Sequence, residues 1–245
     1  MTVCLSAIII AAAVLATAAL AVSYYEYHGI GSQEGVLRKG NPQSGKKTVL
    51  TFDDGPSAKY TPIILNILRD SGVKAVFFLT GRQAEKHPEI VRRILRDGHE
   101  IGNHTYSHVN LVFLSEKDWQ DEIRRGEQAI EDITGQKPVL FRPPRCLLNE
   151  KIRQFLLERG DQIILWSVSA ADWLPLGQNF VSWRIRRFTK PGSIILFHDG
   201  GALVKSHGGK RDNTVKSLQI VIDSLRADGY EFTSLRKLTG ARPSP

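Results

Sequence analysis

The chain is poor in cysteine, with two in 245 residues, and one of these, Cys4, lies in an apolar amino-terminal run. Cys146 is then alone in the remainder, so no intradomain disulfide can form, and a disulfide-framed fold or a cysteine-rich zinc ribbon is excluded. No long uncharged apolar run recurs after Val22, which rules out a multispanning membrane protein. Solenoid repeats and low-complexity segments are absent. Zinc-finger and RNP-type sequences are missing too, and basic residues such as Arg92, Arg93, Arg124, Arg125, Arg186 and Arg187 are spread over helix faces. No nucleic-acid partner is therefore expected.

What is present fits an ordinary globular domain: 42% apolar and 24% charged residues leave neither disorder nor a membrane bundle as the natural class. The formal net charge of +8 favours an anionic neighbourhood, whether a wall polymer, a membrane surface or nucleic acid, and does not choose among them. Val3 to Val22 carries no charge and is long enough to cross a bilayer, so residues 1–22 are expected to be a signal peptide or a membrane anchor. Ala19-Leu20-Ala21 resembles a cleavage site, whereas Arg38, Lys39, Lys46 and Lys47 would, beside an uncleaved anchor, favour a cytoplasmic domain. The expected location is extracytoplasmic, secreted or anchored. Residues 23–45 read as a linker, 46–238 as the single catalytic domain and 239–245 as a tail.

Beyond Gly45, short apolar runs alternate with helical patterns. Strands are expected at Thr48 to Phe52, Ala75 to Thr80, His99 to Gly102, Val139 to Phe141, Gln162 to Ser167, Ser193 to Phe197 and Glu231 to Leu235. Helices are expected at Tyr60 to Asp70, Glu89 to Arg96, Ser115 to Ile133, Asn149 to Leu157, Phe180 to Arg187 and Asn213 to Arg226. About seven βα units in one domain predict a mainly parallel α/β fold, a distorted (β/α)7–8 barrel, with an open doubly wound sheet as the alternative. Catalytic groups in either belong at the carboxyl ends of strands.

Five short motifs stand there. Thr51 to Pro56 (TFDDGP) places Asp53 and Asp54 at a turn, where one carboxylate could hold a metal and its neighbour take a proton. His104 and His108 (HTYSH) are four residues apart, a spacing at which two imidazoles converge on a divalent ion. Phe141 to Cys146 (FRPPRC) presents Arg142 from a proline-stiffened turn, suited to orienting a carboxylate. Ser169 to Trp173 (SAADW) sets Asp172 beside an indole that could wall a sugar-sized pocket. Ile195 to Gly200 (ILFHDG) delivers His198, whose imidazole can protonate a departing amine near neutral pH. His207, Gly208 and Gly209 suggest a rim loop.

In this order the motifs resemble those of the polysaccharide deacetylases, the NodB-homology domain of carbohydrate esterase family 4, over about Lys47 to Leu238. The resemblance implies removal of N-acetyl groups from a cell-wall or chitin-like glycan by a monomer holding one divalent ion, zinc before cobalt, manganese or nickel. It implies that Asp54, His104 and His108 hold the metal, that Asp53 is the base oriented by Arg142, and that His198, tuned by Asp172, is the acid. Substrate contacts are implied at Pro144, Arg145, Trp173 and Leu196. Two positions depart from the pattern. Arg145-Cys146 replaces Tyr-Gly, adding a cation at the mouth that suits an anionic or lactyl-bearing sugar, and Ser169 stands where an Asp is common. These departures keep a second reading in play, a wall-binding or morphogenetic pseudoenzyme of the same fold.

Overall fold

A parallel strand of an α/β fold is covered on both faces, and the strand Lys47–Asp53 is of this kind, buried from Thr48 to its end. The computed structural model describes residues 34–201 and 209–240, together with Ala13, Val14 and Thr17. The apolar leader, apart from those three residues, and the expected rim residues His207 and Gly208 lie outside the described residues. Among the described residues no helix is long and apolar enough to cross a membrane.

In chain order the strands are β1 (Val36–Leu37), β2 (Lys47–Asp53), β3 (Ala75–Leu79), β4 (Glu100–Asn103), β5 (Leu140–Phe141), β6 (Gln162–Ile164), β7 (Val168–Ser169), β8 (Ser193–His198) and β9 (Glu231–Phe232). The helices are α1 (Tyr60–Asp70), α2 (Gly81–Lys86), α3 (Pro88–Arg96), α4 (Glu116–Thr134), α5 (Glu150–Glu158), α6 (Gly177–Phe188), α7 (Asp212–Ala227) and α8 (Leu235–Thr239). The sheet order is β1-β6-β5-β4-β3-β2-β8-β7, with β9 also on β2, and these strand pairings are parallel. Its two ends meet. The chain runs directly from β6 into β7, with Leu165 N–H donating to the Leu37 carbonyl at 2.8 Å and Ser167 N–H to that of Ile194 at 3.0 Å. The sheet is thus a curled, distorted α/β barrel, the first of the two architectures the alternation allowed.

Strand alternation divides the core. Val49, Val76, Phe78, Ile194 and Leu196 belong to one buried cluster inside the curl. Leu50, Phe52, Phe77, Ile195 and Phe197 pack outward with the helices, the rings of Phe52 and Phe77 stacked at 5.0 Å. Side chains cap two of the helices: Ser115 Oγ accepts from Asp118 N at the start of α4, and Asn149 Oδ1 accepts from Ile152 N at the start of α5.

Four differences from the sequence reading have local causes. Part of the expected linker is structural, since Val36 and Leu37 pair with Ile163 and Ile164 and cover what would be an open edge of β6. The run Gln162 to Ser167 is a strand only as far as Ile164: residues 165–167 then cross from β5 toward β8, and β7 begins just past the run at Val168. The last strand stops at Phe232, because Ser234 Oγ accepts from Lys237 N and caps α8. The short helix α2, directly after β3, carries too little apolar periodicity to be read from the sequence.

Candidate active site

Inward-facing positions at the carboxyl ends of the strands supply the site. In the parallel register of β2 and β8, Asp53 stands directly opposite His198, as Thr51 does Leu196. The backbone then turns left-handed at Asp54, φ 75°, which carries the next carboxylate to the mouth rather than to the outer face. Left-handed non-glycine residues also occur at Thr105, His108, Arg145, Cys146 and Ala171, all in loops after strands. Such strained backbone persists where the surroundings fix it, and it gathers at functional sites.

Arg142 lies wholly buried beneath this mouth. Its Nη1 donates to Asp53 Oδ1 at 2.6 Å and to Thr51 Oγ1 at 2.8 Å, while Nε and Nη2 donate to the carbonyls of Ile164 and Leu165. Its guanidinium also stacks 4.0 Å over the Phe78 ring. An unpaired buried arginine would be costly, and here each nitrogen has a partner. Its own carbonyl lies 2.7 Å from His104 Nδ1.

That contact decides the chemistry next to it. With Nδ1–H donating to a carbonyl, a neutral His104 presents an unprotonated Nε2. Burial pushes the neighbouring His108 imidazole down to about 4, against the pull of Asp54, so that ring is neutral at pH 7. Asp54 Oδ1 stands 3.4 Å from His104 Nε2 and 3.1 Å from His108 Nε2, and it is buried without a hydrogen-bond partner. One ligand atom from each of the three residues falls within 4.8 Å of the others. A carboxylate and two imidazoles converging in this way are a fitting donor set for a divalent cation.

Across the mouth, His198 Nδ1 is 2.8 Å from Asp172 Oδ1, and Asp172 Oδ2 accepts from His198 N–H at 2.9 Å. Burial pulls the His198 pKa down, but the charge and hydrogen bond of Asp172, helped by Asp54, outweigh it and leave the value raised. The Trp173 ring meets the imidazole edge-on at 5.1 Å. Asp199 is fully buried under the turn after β2, where Thr61 Oγ1 donates to it at 2.5 Å. Burial pushes its carboxyl up to about 7.

The structure therefore brings together Asp53, Asp54, His104, His108, Arg142, Asp172 and His198, with Trp173 at the edge. Pro144 is buried, and Leu196 is part of the barrel interior. Arg145 is an exposed rim residue whose Nη1 donates to Asn110 Oδ1 at 2.8 Å, and its charge reaches His108. Ser169 is buried, and its Oγ accepts from Ala171 N–H. Sequence reasoning missed Arg211, Asn213 and Thr214, which crowd the same mouth. Only an Arg-x-x-Thr spacing at a helix start marked them, and no chemistry attaches to that spacing alone.

Fold and site together define an α/β barrel with a candidate Asp-His-His cation site at its mouth, flanked by a carboxylate held by an arginine and an imidazole held by a carboxylate. Residues 40–163 match the family described as polysaccharide deacetylase, and the chain belongs to it. A peptidoglycan-N-acetylglucosamine deacetylase of Bacillus cereus is 37% identical over 194 residues, 79% of this chain and 68% of that one. A solved peptidoglycan N-acetylglucosamine deacetylase, Bc1960 in complex with 4-naphthalen-1-yl-N-oxidanyl-benzamide, superposes with TM-score 0.81 at 33% identity. The match covers 86% of this chain and 95% of the other. A pseudoenzyme of the family from Bacillus anthracis superposes with TM-score 0.74 at 28% identity, over 83% of this chain and 68% of its own.

Proposed function

We propose that this chain is a metal-dependent hydrolase that removes N-acetyl groups from the N-acetylglucosamine units of a cell-wall glycan. One observation carries the reading: the Asp54, His104 and His108 donors lie between two prepared proton-transfer groups, Asp53 held by Arg142 and His198 held by Asp172. Asp54, His104 and His108 would hold a divalent ion, zinc before cobalt, manganese or nickel. When bound, that ion supplies Lewis-acid chemistry, polarising the amide carbonyl and making water acidic.

The residues of the chain do the rest. Asp53, fixed by the guanidinium of Arg142, accepts a proton from the attacking water. His198, whose pKa Asp172 raises, gives a proton to the amide nitrogen as the C–N bond breaks, so that acetate and a free amine leave. Trp173, Leu196 and Pro144 shape the acetyl pocket, and the rim cation of Arg145 favours a glycan bearing carboxylates. Because the substrate is a wall polymer, the protein is extracytoplasmic, with residues 1–22 acting as signal peptide or anchor, residues 46–238 as the catalytic domain, and a monomer as the working unit.

A second reading, a glycan-binding pseudoenzyme, draws support from the loop that departs from the family pattern, where Arg145 and Cys146 are consecutive left-handed residues, φ 54° and 53°. Acetate release from purified peptidoglycan, with zinc and after chelation, separates the two. Metal-dependent release is expected; tight glycan binding without release in the presence of zinc would establish the pseudoenzyme instead.

A further inference from the structure

The motifs account for the carboxylates, the imidazoles and Arg142, yet they leave a second buried cation at the mouth without a task. Arg211 is 3% exposed. Its Nε donates to the Gly200 carbonyl at 2.6 Å, and its Nη2 lies 4.0 Å from Asp54 Oδ2. Gly200 and Gly201 are pressed against Asp54. A Cβ on Gly201, φ 68°, would stand 2.1 Å from Asp54 Oδ2, and one on Gly200 2.5 Å from the Asp54 carbonyl oxygen. Whatever holds the Gly200 carbonyl therefore holds the surface on which Asp54 rests.

Three residues further on, at the start of α7, the fully buried Thr214 donates from Oγ1 to Asp172 Oδ2 at 2.5 Å. Asn213 Nδ2, between them, donates to the Leu174 carbonyl at 2.9 Å and ties down the chain beyond Trp173. Asp172 Oδ2 thus takes Thr214 Oγ1 and His198 N–H, which leaves Oδ1 for the His198 ring and gives the carboxylate a single orientation. Positions i and i+3 share one face of a helical turn, so a single rigid segment grips both sides of the mouth.

We propose that the Arg211–Thr214 turn is a positioning clamp: Arg211 sets Asp54 through the Gly200–Gly201 turn, and Thr214 sets the Asp172 carboxylate that holds His198. The cation-binding and proton-donating halves of the site keep their spacing because both are fixed from the start of α7. Neither residue touches a reacting atom. The roles of Asp54 and His198 rest on the deacetylase reading, so the test includes readouts that need no turnover.

The variants Thr214→Val, Thr214→Ser, Arg211→Met and Arg211→Lys are made in the full chain. Thr214→Val is expected to lower kcat roughly 10- to 100-fold with KM and cobalt(II) affinity unchanged, and to speed solvent exchange of the His198 Nδ1 proton seen by NMR. Thr214→Ser, which keeps the hydroxyl, restores both. Arg211→Met is expected to weaken cobalt(II) binding, titrated by visible absorption without substrate, by a factor in the same range, and Arg211→Lys to recover part of it. Wild-type kcat and exchange in Thr214→Val, equal impairment in Thr214→Ser, or wild-type cobalt affinity in Arg211→Met would overturn the clamp. Should Thr214→Val not unfold cooperatively, the cobalt titrations of the Arg211 variants decide the matter. If the wild type with metal releases no acetate, the deacetylase reading fails while the exchange and cobalt readouts still judge the clamp.

Discussion

The main-chain carbonyl of Arg142 lies 2.7 Å from His104 Nδ1, while the guanidinium of the same residue holds Asp53 at 2.6 Å. One residue thus orients a proposed metal ligand through its backbone and the proposed base through its side chain. The two effects separate on substitution. Arg142→Lys cannot reproduce the fork of bonds to Asp53, Thr51, Ile164 and Leu165, and is expected to lower kcat about 10- to 100-fold while leaving zinc affinity unchanged, because the carbonyl remains. Arg142→Met strands the buried Asp53 and is expected to cost about 3–5 kcal/mol of stability. Calorimetric zinc titration and chemical unfolding check both.

Asp172→Asn removes the anion that raises the His198 pKa. A proton donor is active only below its own pKa, so the alkaline limb of the kcat/KM profile is expected to move to lower pH. An unmoved limb would mean that His198 is not the group titrating there.

Gly126 lets α4 press on the loop that carries the histidines. A Cβ there would lie 2.4 Å from Asn103 Oδ1 and 2.6 Å from the Thr105 carbonyl carbon. Asn103 is itself fixed, accepting from Thr105 N–H and donating to the Ile123 carbonyl. Alanine would favour the helix by about 1 kcal/mol, but the atoms it meets are backbone and a buried amide, and overpacking costs about 1–3 kcal/mol. Gly126→Ala is expected to lower both stability and zinc affinity. A variant at least as stable as wild type, with unchanged affinity, contradicts this packing account.

Far from the mouth, burial pushes the His99 imidazole down to about 4, and Nδ1 accepts the Ala75 N–H at 3.1 Å, which only the neutral ring can do. The folded value lies below the unfolded one near 6.5, so between them the unfolded chain binds more protons. Stability from this group is present above pH 6.5 and is lost as pH falls toward 4, by about 3 kcal/mol in total. His99→Asn keeps an acceptor without titrating. The difference in unfolding free energy between wild type and variant is expected to change by about that amount between pH 7 and pH 4; a constant difference would refute the assignment.

Much of this molecule was legible before its structure. Tyr60 to Asp70 is a helix with the expected bounds, and Ser115 caps α4 as its spacing to Asp118 implied. The placement of the five motifs followed from strand ends, where a parallel fold must present them, and Asp54, the carboxylate that the family resemblance singled out, converges with His104 and His108. What stayed hidden depends on distant partners. Val36 and Leu37 sit in a polar stretch and become a strand only because β6 lies beside them. Gln162 to Ser167 reads as one run, and only the passage of the chain from β5 toward β8 ends its strand at Ile164. Thr214 meets Asp172 across 42 residues, with no motif to mark the contact.

The central claim is a division of labour between two adjacent carboxylates, Asp54 holding the ion and Asp53 taking the proton. The most direct test is Asp53→Asn, measured for zinc affinity and for acetate release from N-acetylated peptidoglycan. The account predicts wild-type zinc binding and abolished release. Release at the wild-type rate by the zinc-loaded variant would contradict it.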